Sequence, residues 1–82
     1  MIDRRYFEYK GAMMKVYFRN SMGKELLIGE AYDDEGAYNI VKKFCDDRNF
    51  KIYYARRWVD KDNPNRRWMD VGSHTEFFIV EM

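Results

Sequence analysis

Residues 33–49, DDEGAYNIVKKFCDDRN, decide the fold because their hydrophobic period differs from that of the segments around them. Four apolar residues follow the spacing i, i+3, i+4, i+7, which is the stripe of an amphipathic helix. They are Ala37, Ile40, Val41 and Phe44. Asp33 or Asp34 is expected to cap the N-terminus by accepting a backbone hydrogen bond, and Asn49 to end the helix in a left-handed conformation. The stretch therefore predicts one central helix.

Two strands are predicted before the helix. MKVYFRN at 14–20 alternates apolar and polar residues, and ELLIGEAY at 25–32 places Leu26 and Ile28 on one face and Leu27 on the other. The turn between them contains Gly23, which can take a positive φ. The pattern starts near Met13, so a single domain is placed at 13–82. Residues 1–12 are interpreted as an N-terminal extension or arm, with a short added strand as the alternative.

Two more strands are predicted after the helix. KIYYARRWV at 51–59 alternates, and the polar segment 60–67 is interpreted as a loop because Pro64 removes a backbone donor. A fourth strand is expected from about Trp68 to Val80, with a bulge at Gly72 and Ser73. The order ββαββ predicts an α+β domain, in which one helix covers one face of a mainly antiparallel four-stranded sheet. The other face is left to solvent or a partner.

Size and composition exclude several classes of protein. A chain of 82 residues buries only about 60% of its unfolded surface, so we expect no large internal catalytic cavity. The single cysteine, Cys45, cannot form an internal disulfide, which favours a reducing compartment. The N-terminal residues contain no apolar run, so neither a signal peptide nor a membrane anchor is expected. These features predict a cytoplasmic protein that does not bind membranes.

The sequence contains no pattern typical of catalysis, metal binding or cofactor binding. Ser73 and His74 are neighbours that diverge in a strand, and no glycine-framed nucleophile turn precedes them. One histidine and one cysteine cannot build a structural zinc site. We therefore expect no enzyme activity, metal or cofactor, and interpret His74 as structural.

Basic and aromatic residues concentrate in the second half of the chain. The net charge is only +1, but residues 51–68 hold six basic residues against two acidic ones, a local charge of +4 that leaves −3 elsewhere. We expect a partner-binding hairpin, since Arg and Trp are enriched at binding hot spots. Its candidate residues are Arg56, Arg57, Trp58, Lys61, Arg66, Arg67 and Trp68.

Strand alternation limits how these residues can be arranged. Arg57 and at least one of Arg66 and Arg67 are expected to be exposed, and at least one tryptophan to be partly buried. The partner would be a protein with an acidic surface or a nucleic-acid-binding groove. The structural alternative is a hairpin stabilised by cross-strand aromatic pairs, with charges protecting its edge. Monomer and dimer both remain open.

Direct binding of single-stranded nucleic acid is the second functional hypothesis. Aromatic rings on the uncovered sheet face would stack on bases while basic side chains contact phosphates. The residues assigned to this face are Lys15, Tyr17, Arg19, Lys51 and Tyr53, with Arg57 and Phe77 as further members. The low net charge weighs against this hypothesis.

Three segments resemble small accessory proteins encoded by bacteriophages and prophages. They are the MKVYFRN start, the GEAYDDEGAYNIVKKF passage and the DVGSHTEFF ending. Proteins of that kind include anti-CRISPR and other anti-defence inhibitors, which commonly occupy the surface of a host protein. The resemblance implies an inhibitor or adaptor in the cytoplasm of a host cell, and it assigns no functional residue.

Overall fold

The computed structural model describes residues 13–82 as one α-helix and five antiparallel strands. The elements are β1 (Met14–Arg19), β2 (Glu25–Ala31), α1 (Asp34–Asp47), β3 (Arg56–Val59), β4 (Arg66–Asp70) and β5 (Phe77–Glu81). The strand order in the sheet is β2-β1-β5-β4-β3. The α+β class with a single helix is confirmed for these residues, but the count of four strands is wrong. The proposed extension at 1–12 lies outside the described residues.

Helix α1 begins and ends where its sequence predicts. The Asp33 carboxylate accepts a hydrogen bond from the Gly36 N–H at 2.8 Å, which satisfies one of the free donors of the first turn. Asn49 takes a φ of 58° just beyond the last turn. The helix buries Ala37 and Val41 of the predicted stripe, so its apolar face packs on the sheet.

The segment after β4 turns back and does not continue as one bulged strand. Asp70 Oδ1 accepts hydrogen bonds from the Gly72 N–H at 2.9 Å and the His74 N–H at 3.3 Å. Gly72 and His74 both have positive φ, 116° and 68°, which an unbroken strand does not permit. The predicted strand at 68–80 is therefore two strands, β4 and β5, joined by a tight connection.

The predicted third strand is also shorter than its alternation indicates. Only Arg56–Val59 joins the sheet, whereas residues 51–55 approach it alongside Val71, to which the Tyr53 N–H donates at 2.9 Å. Residues 51–55 thus lie outside the sheet, although the sequence predicts a strand over 51–59. An alternating pattern specifies extended backbone but not its pairing partner.

A cluster of phenylalanines joins the helix to the centre of the sheet. The ring of Phe18 in β1 lies 4.8 Å from that of Phe44 in α1 and 5.5 Å from that of Phe78 in β5. Phe44 and Phe78 meet edge to face at 5.7 Å. The same side of the sheet buries Met14 and Val16, so the core lies between α1 and the strands β1, β5 and β4.

The strand register divides the side chains between two faces. One row of paired residues crosses four strands and faces the helix. It consists of Phe18, Phe78, Met69 and Arg57. The adjacent row points the other way and contains, across four strands, Tyr17, Ile79, Trp68 and Trp58. We call this second side the open face, because α1 packs on the first. In residues 13–82, no helix is long and apolar enough to cross a membrane.

The helix cap gives a first prediction. Asp33→Ala should lower the free energy of unfolding by about 1 kcal/mol, because it removes the side-chain acceptor of the first turn. Asp46→Ala is the matched control, since its carboxylate lies at the opposite end of the helix and opposes the dipole. Urea unfolding followed by circular dichroism should show a loss for Asp33→Ala and no loss for Asp46→Ala. Equal losses would contradict the capping role.

Candidate functional site

The open face carries a cluster of three aromatic side chains that we call the indole cluster: Trp58, Trp68 and Phe77. Trp58 and Trp68 are directly opposite each other in β3 and β4, and their rings stack at 6.1 Å with planes 18° apart. Phe77 meets both edge-on, at 6.1 and 5.4 Å. Trp58 is 37% exposed and Trp68 is half-buried, which agrees with the expectation that at least one tryptophan is partly buried. The three rings form a rigid apolar surface with one accessible end.

Two arginines border the cluster. The guanidinium carbon of Arg19 lies 5.2 Å from the Trp68 ring centroid, and that of Arg56 lies 5.4 Å from the Trp58 centroid. Both distances are those of cation–π contacts. The Trp68 Nε1–H donates to Asp60 Oδ2 at 2.9 Å, which fixes the indole against the start of the β3–β4 loop. These contacts fix the orientation of the Trp68 ring within the cluster.

Arg66 and Arg67 are half-buried and paired, so the expectation that at least one of them is exposed is wrong. Arg66 Nη2 lies 2.7 Å from Glu25 Oε2, and Arg66 Nη1 lies 4.0 Å from Glu81 Oε2. Arg67 Nη2 lies 2.9 Å from Asp34 Oδ1 at the start of the helix. The acidic partners come from distant parts of the chain, so local sequence gives no sign of this neutralisation.

Adjacent arginines in β3 lie on opposite sides of the sheet. Arg56 is exposed on the open face, and its Nη2 is 3.9 Å from Asp70 Oδ2. Arg57 is exposed, as expected, but it lies on the helix side, with its guanidinium carbon 5.9 Å from the Tyr38 ring centroid. Lys61 is exposed in the loop that follows. The candidate binding residues thus divide between two surfaces. Arg56, Trp58, Arg66 and Trp68 lie on the open face with Lys61 beside the two tryptophans, whereas Arg57 and Arg67 lie on the helix side.

Charge on the open face is balanced. The register places four basic residues there, Lys15, Arg19, Arg56 and Arg66. The same rows place four acidic residues beside them, Glu25, Glu30, Asp70 and Glu81. Glu25 alone binds two arginines, Arg19 at 2.9 Å and Arg66 at 2.7 Å. The +4 charge of the 51–68 segment is therefore not the charge of the surface on which the segment lies.

The residues assigned to nucleic-acid binding do not come together as one surface. Lys15, Tyr17 and Arg19 do lie on the open face in β1. Lys51 and Tyr53 precede β3, and a side chain at Gly72 would collide with the Tyr53 ring, so this tyrosine packs over the β4–β5 connection. Arg57, a further member, faces the helix side. The assignment assumed that the third strand keeps one alternation from residue 51 onward.

A fully buried carboxylate, Asp70, organises the far end of the hairpin, and sequence reasoning did not select it. Its Oδ2 lies 3.2 Å from His74 Nδ1, though not in hydrogen-bonding geometry, and the Tyr54 hydroxyl lies 3.2 Å from His74 Nε2. Burial by itself raises the pKa of Asp70, but hydrogen bonds from the Gly72 and His74 N–H groups and the charges of His74 and Arg56 outweigh it. The pKa therefore lies below its ordinary value of 3.8.

Ser73 and Cys45 have structural contacts: Ser73 is hydrogen-bonded within its own turn, and Cys45 is buried. Ser73 Oγ donates to Glu76 Oε1 at 3.0 Å and therefore does not pair with His74. Burial, aided by Asp46, raises the pKa of the Cys45 thiol, which disfavours a reactive thiolate. In the part of the chain that the structure describes, no three His, Cys, Asp or Glu side chains are placed to hold a metal ion.

Comparison of the chain with protein-family models, with curated proteins and with solved structures finds no significant match. The functional argument therefore depends on the geometry of the chain itself.

Asp70 predicts a measurable acid dependence of stability. Because its pKa is lowered by folding, its contribution is fully present above its ordinary value of 3.8 and is lost as the pH falls through the lowered value. Asp70→Asn should therefore lower the free energy of unfolding by about 1 to 3 kcal/mol near neutral pH. The difference from the original chain should shrink as the pH falls below the ordinary value of 3.8.

Urea unfolding at a series of pH values would measure this difference. Asp47→Asn is the matched control, because Asp47 is an exposed carboxylate whose contact is a 3.4 Å pair with Lys43. It should change stability little at any pH. A pH-independent effect of Asp70→Asn would contradict the ionised, hydrogen-bonded state of Asp70.

Proposed function

We propose that the chain is a non-enzymatic protein-binding module that occupies a surface of a host protein through the open face of the β3–β4 hairpin. The observation that supports this is the indole cluster, which is braced by Arg19 and Arg56 and is not covered by α1. Trp and Arg are the residues most enriched at interface hot spots. Rings held rigid in the free protein lose little conformational entropy when a partner binds.

Charge balance favours a protein partner over nucleic acid. Binding to a phosphate backbone depends on unneutralised Lys and Arg side chains, whose contacts release condensed counterions. On the open face, Arg66 is paired with Glu25 and Glu81, and Arg19 shares Glu25. An apolar cluster surrounded by equal numbers of acidic and basic side chains has the composition of a protein interface, which combines an apolar centre with a polar rim.

The proposed setting is the cytoplasm of a bacterial host, where a phage or prophage accessory protein of the anti-defence kind would act as an inhibitor or adaptor. In this setting the module needs no active site, since steric occupation of a host surface is sufficient. Arg56, with its side chain 66% exposed, supplies a positive contact at the edge of the cluster for an acidic group on the partner. Single-stranded nucleic acid remains the competing ligand, and the second test below addresses it.

Charge reversal of two neighbouring arginines separates the two faces of β3. Arg56→Glu should abolish or reduce at least tenfold the retention of a stoichiometric partner from bacterial host lysate, because it reverses the charge beside Trp58. Arg57→Glu makes the same chemical change on the helix side and should retain the partner. Affinity purification with quantitative mass spectrometry would measure both. Equal loss in the two variants would contradict binding through the open face.

The nucleic-acid alternative predicts salt-dependent binding of oligonucleotides. We expect no saturable change in the anisotropy of a fluorescently labelled single-stranded oligonucleotide, even at low ionic strength, because within residues 13–82 the open face has no excess of positive charge. Binding that weakens steeply with added salt and is lost in a Tyr17→Ala, Arg19→Ala variant would instead favour nucleic acid.

A further inference from the structure

The end of the β3–β4 hairpin forms a shallow groove that differs in charge from the strands beside it. We call it the tip groove, and it is lined by Trp58, Val59, Asp60, Lys61, Asp62 and Trp68. Its floor is the accessible edge of the indole cluster. Its rim has two carboxylates and one ammonium group, so a hairpin that is basic in sequence has an acidic, aromatic tip.

Asp60 is held as an ionised acceptor at this tip. The Trp68 Nε1–H donates to its Oδ2 at 2.9 Å, and the backbone N–H groups of Asp62 and Asn63 donate to its Oδ1 at 2.8 and 3.1 Å. These donors, led by Trp68, hold the pKa of Asp60 below its ordinary value. Within residues 13–82 neither Asp62 nor Lys61 forms an ion pair. The residues that line the groove therefore have a net charge of −1 over an aromatic floor that Arg19 and Arg56 also contact.

We infer that the tip groove binds an arginine side chain of the partner protein, with the guanidinium lying on the indoles and facing Asp60 and Asp62. This inference rests on the proposed function and adds the chemistry of the partner. A planar guanidinium stacks on aromatic rings and pairs with carboxylates in a two-pronged geometry. The same stacking is already present twice on this cluster, where Arg19 covers Trp68 and Arg56 covers Trp58.

The lining also distinguishes arginine from other side chains. An acidic side chain would meet two carboxylates, Asp60 and Asp62, against the single ammonium group of Lys61, and a purely apolar one would leave Asp62 without a counter-charge. Lysine can satisfy one carboxylate, but its compact ammonium lacks the planar surface that stacks on an indole. The partner surface expected from these contacts presents an arginine to the tip and an acidic group to Arg56.

A pair of isosteric ligands tests this inference. Nα-acetyl-arginine methylamide and its citrulline analogue have nearly the same shape, but only the arginine compound is charged. The chain has two tryptophans, and both line the groove, so the two indole N–H resonances in a ¹H–¹⁵N correlation spectrum report on the site alone. We expect saturable shifts of both resonances, with affinity for the arginine compound roughly three- to tenfold higher than for the citrulline compound.

Two variants locate the effect. Asp62→Asn should reduce the preference for arginine over citrulline to less than about twofold, and it should leave the fold intact because this carboxylate is exposed. Asp47→Asn, an equivalent change at the remote end of α1, should keep the full preference. The Trp68 resonance should move most, since its N–H is bonded to Asp60.

Three results would overturn the inference: no saturable shift with either compound, equal affinity for both, or an undiminished preference in Asp62→Asn. None of these would overturn the proposed function, which is tested by partner retention in Arg56→Glu and Arg57→Glu. Conversely, if the chain binds arginine selectively but retains no host protein from lysate, the inference about the groove is supported and the proposed function is contradicted.

Discussion

The position of β5 between β1 and β4 is the constraint on which the rest of the structure depends. This strand is the last in the chain, yet it is the centre of the sheet and joins the N-terminal hairpin to the C-terminal one. Its Phe78 contacts Phe18 of β1 and Phe44 of α1, so one side chain connects the three parts of the core. Without β5 in place the β3–β4 hairpin would be isolated, and an isolated two-stranded hairpin is marginally stable in water.

Two aspartates at the ends of β4 give this arrangement its rigidity. Asp60 accepts two backbone N–H groups and the Trp68 indole before the strand, and Asp70 accepts two backbone N–H groups after it. Each carboxylate fixes the turn that reverses the chain toward a neighbouring strand. As a result β4 pairs with both β3 and β5, and the indole cluster has a defined position on the open face.

The open face combines an apolar centre with a balanced set of charges, in which Arg19 and Arg66 are both paired with Glu25. Glu25 in β2 and Glu81 in β5 pair with Arg66, which lies far from Glu25 in sequence, whereas Arg56 and the acidic tip groove leave charge accessible at opposite ends of the β3–β4 hairpin. Attraction between this surface and a partner would therefore be short-ranged and directional. Such a pattern favours specificity over long-range attraction to any polyanion.

The sequence by itself determined the elements whose signals are local. The stripe from Ala37 to Phe44, the cap at Asp33 and the stop at Asn49 specify α1, because capping and helical period involve residues within one or two turns. Alternation in 14–20 and the turn residues at 20–24 specify the first hairpin for the same reason. Only the tertiary structure decided the order of the strands, the division of 68–80 at Asp70, and the pairing of Arg66 and Arg67. These features depend on contacts between residues distant in the chain, and hydrophobic alternation carries no information about which strand or which carboxylate lies alongside.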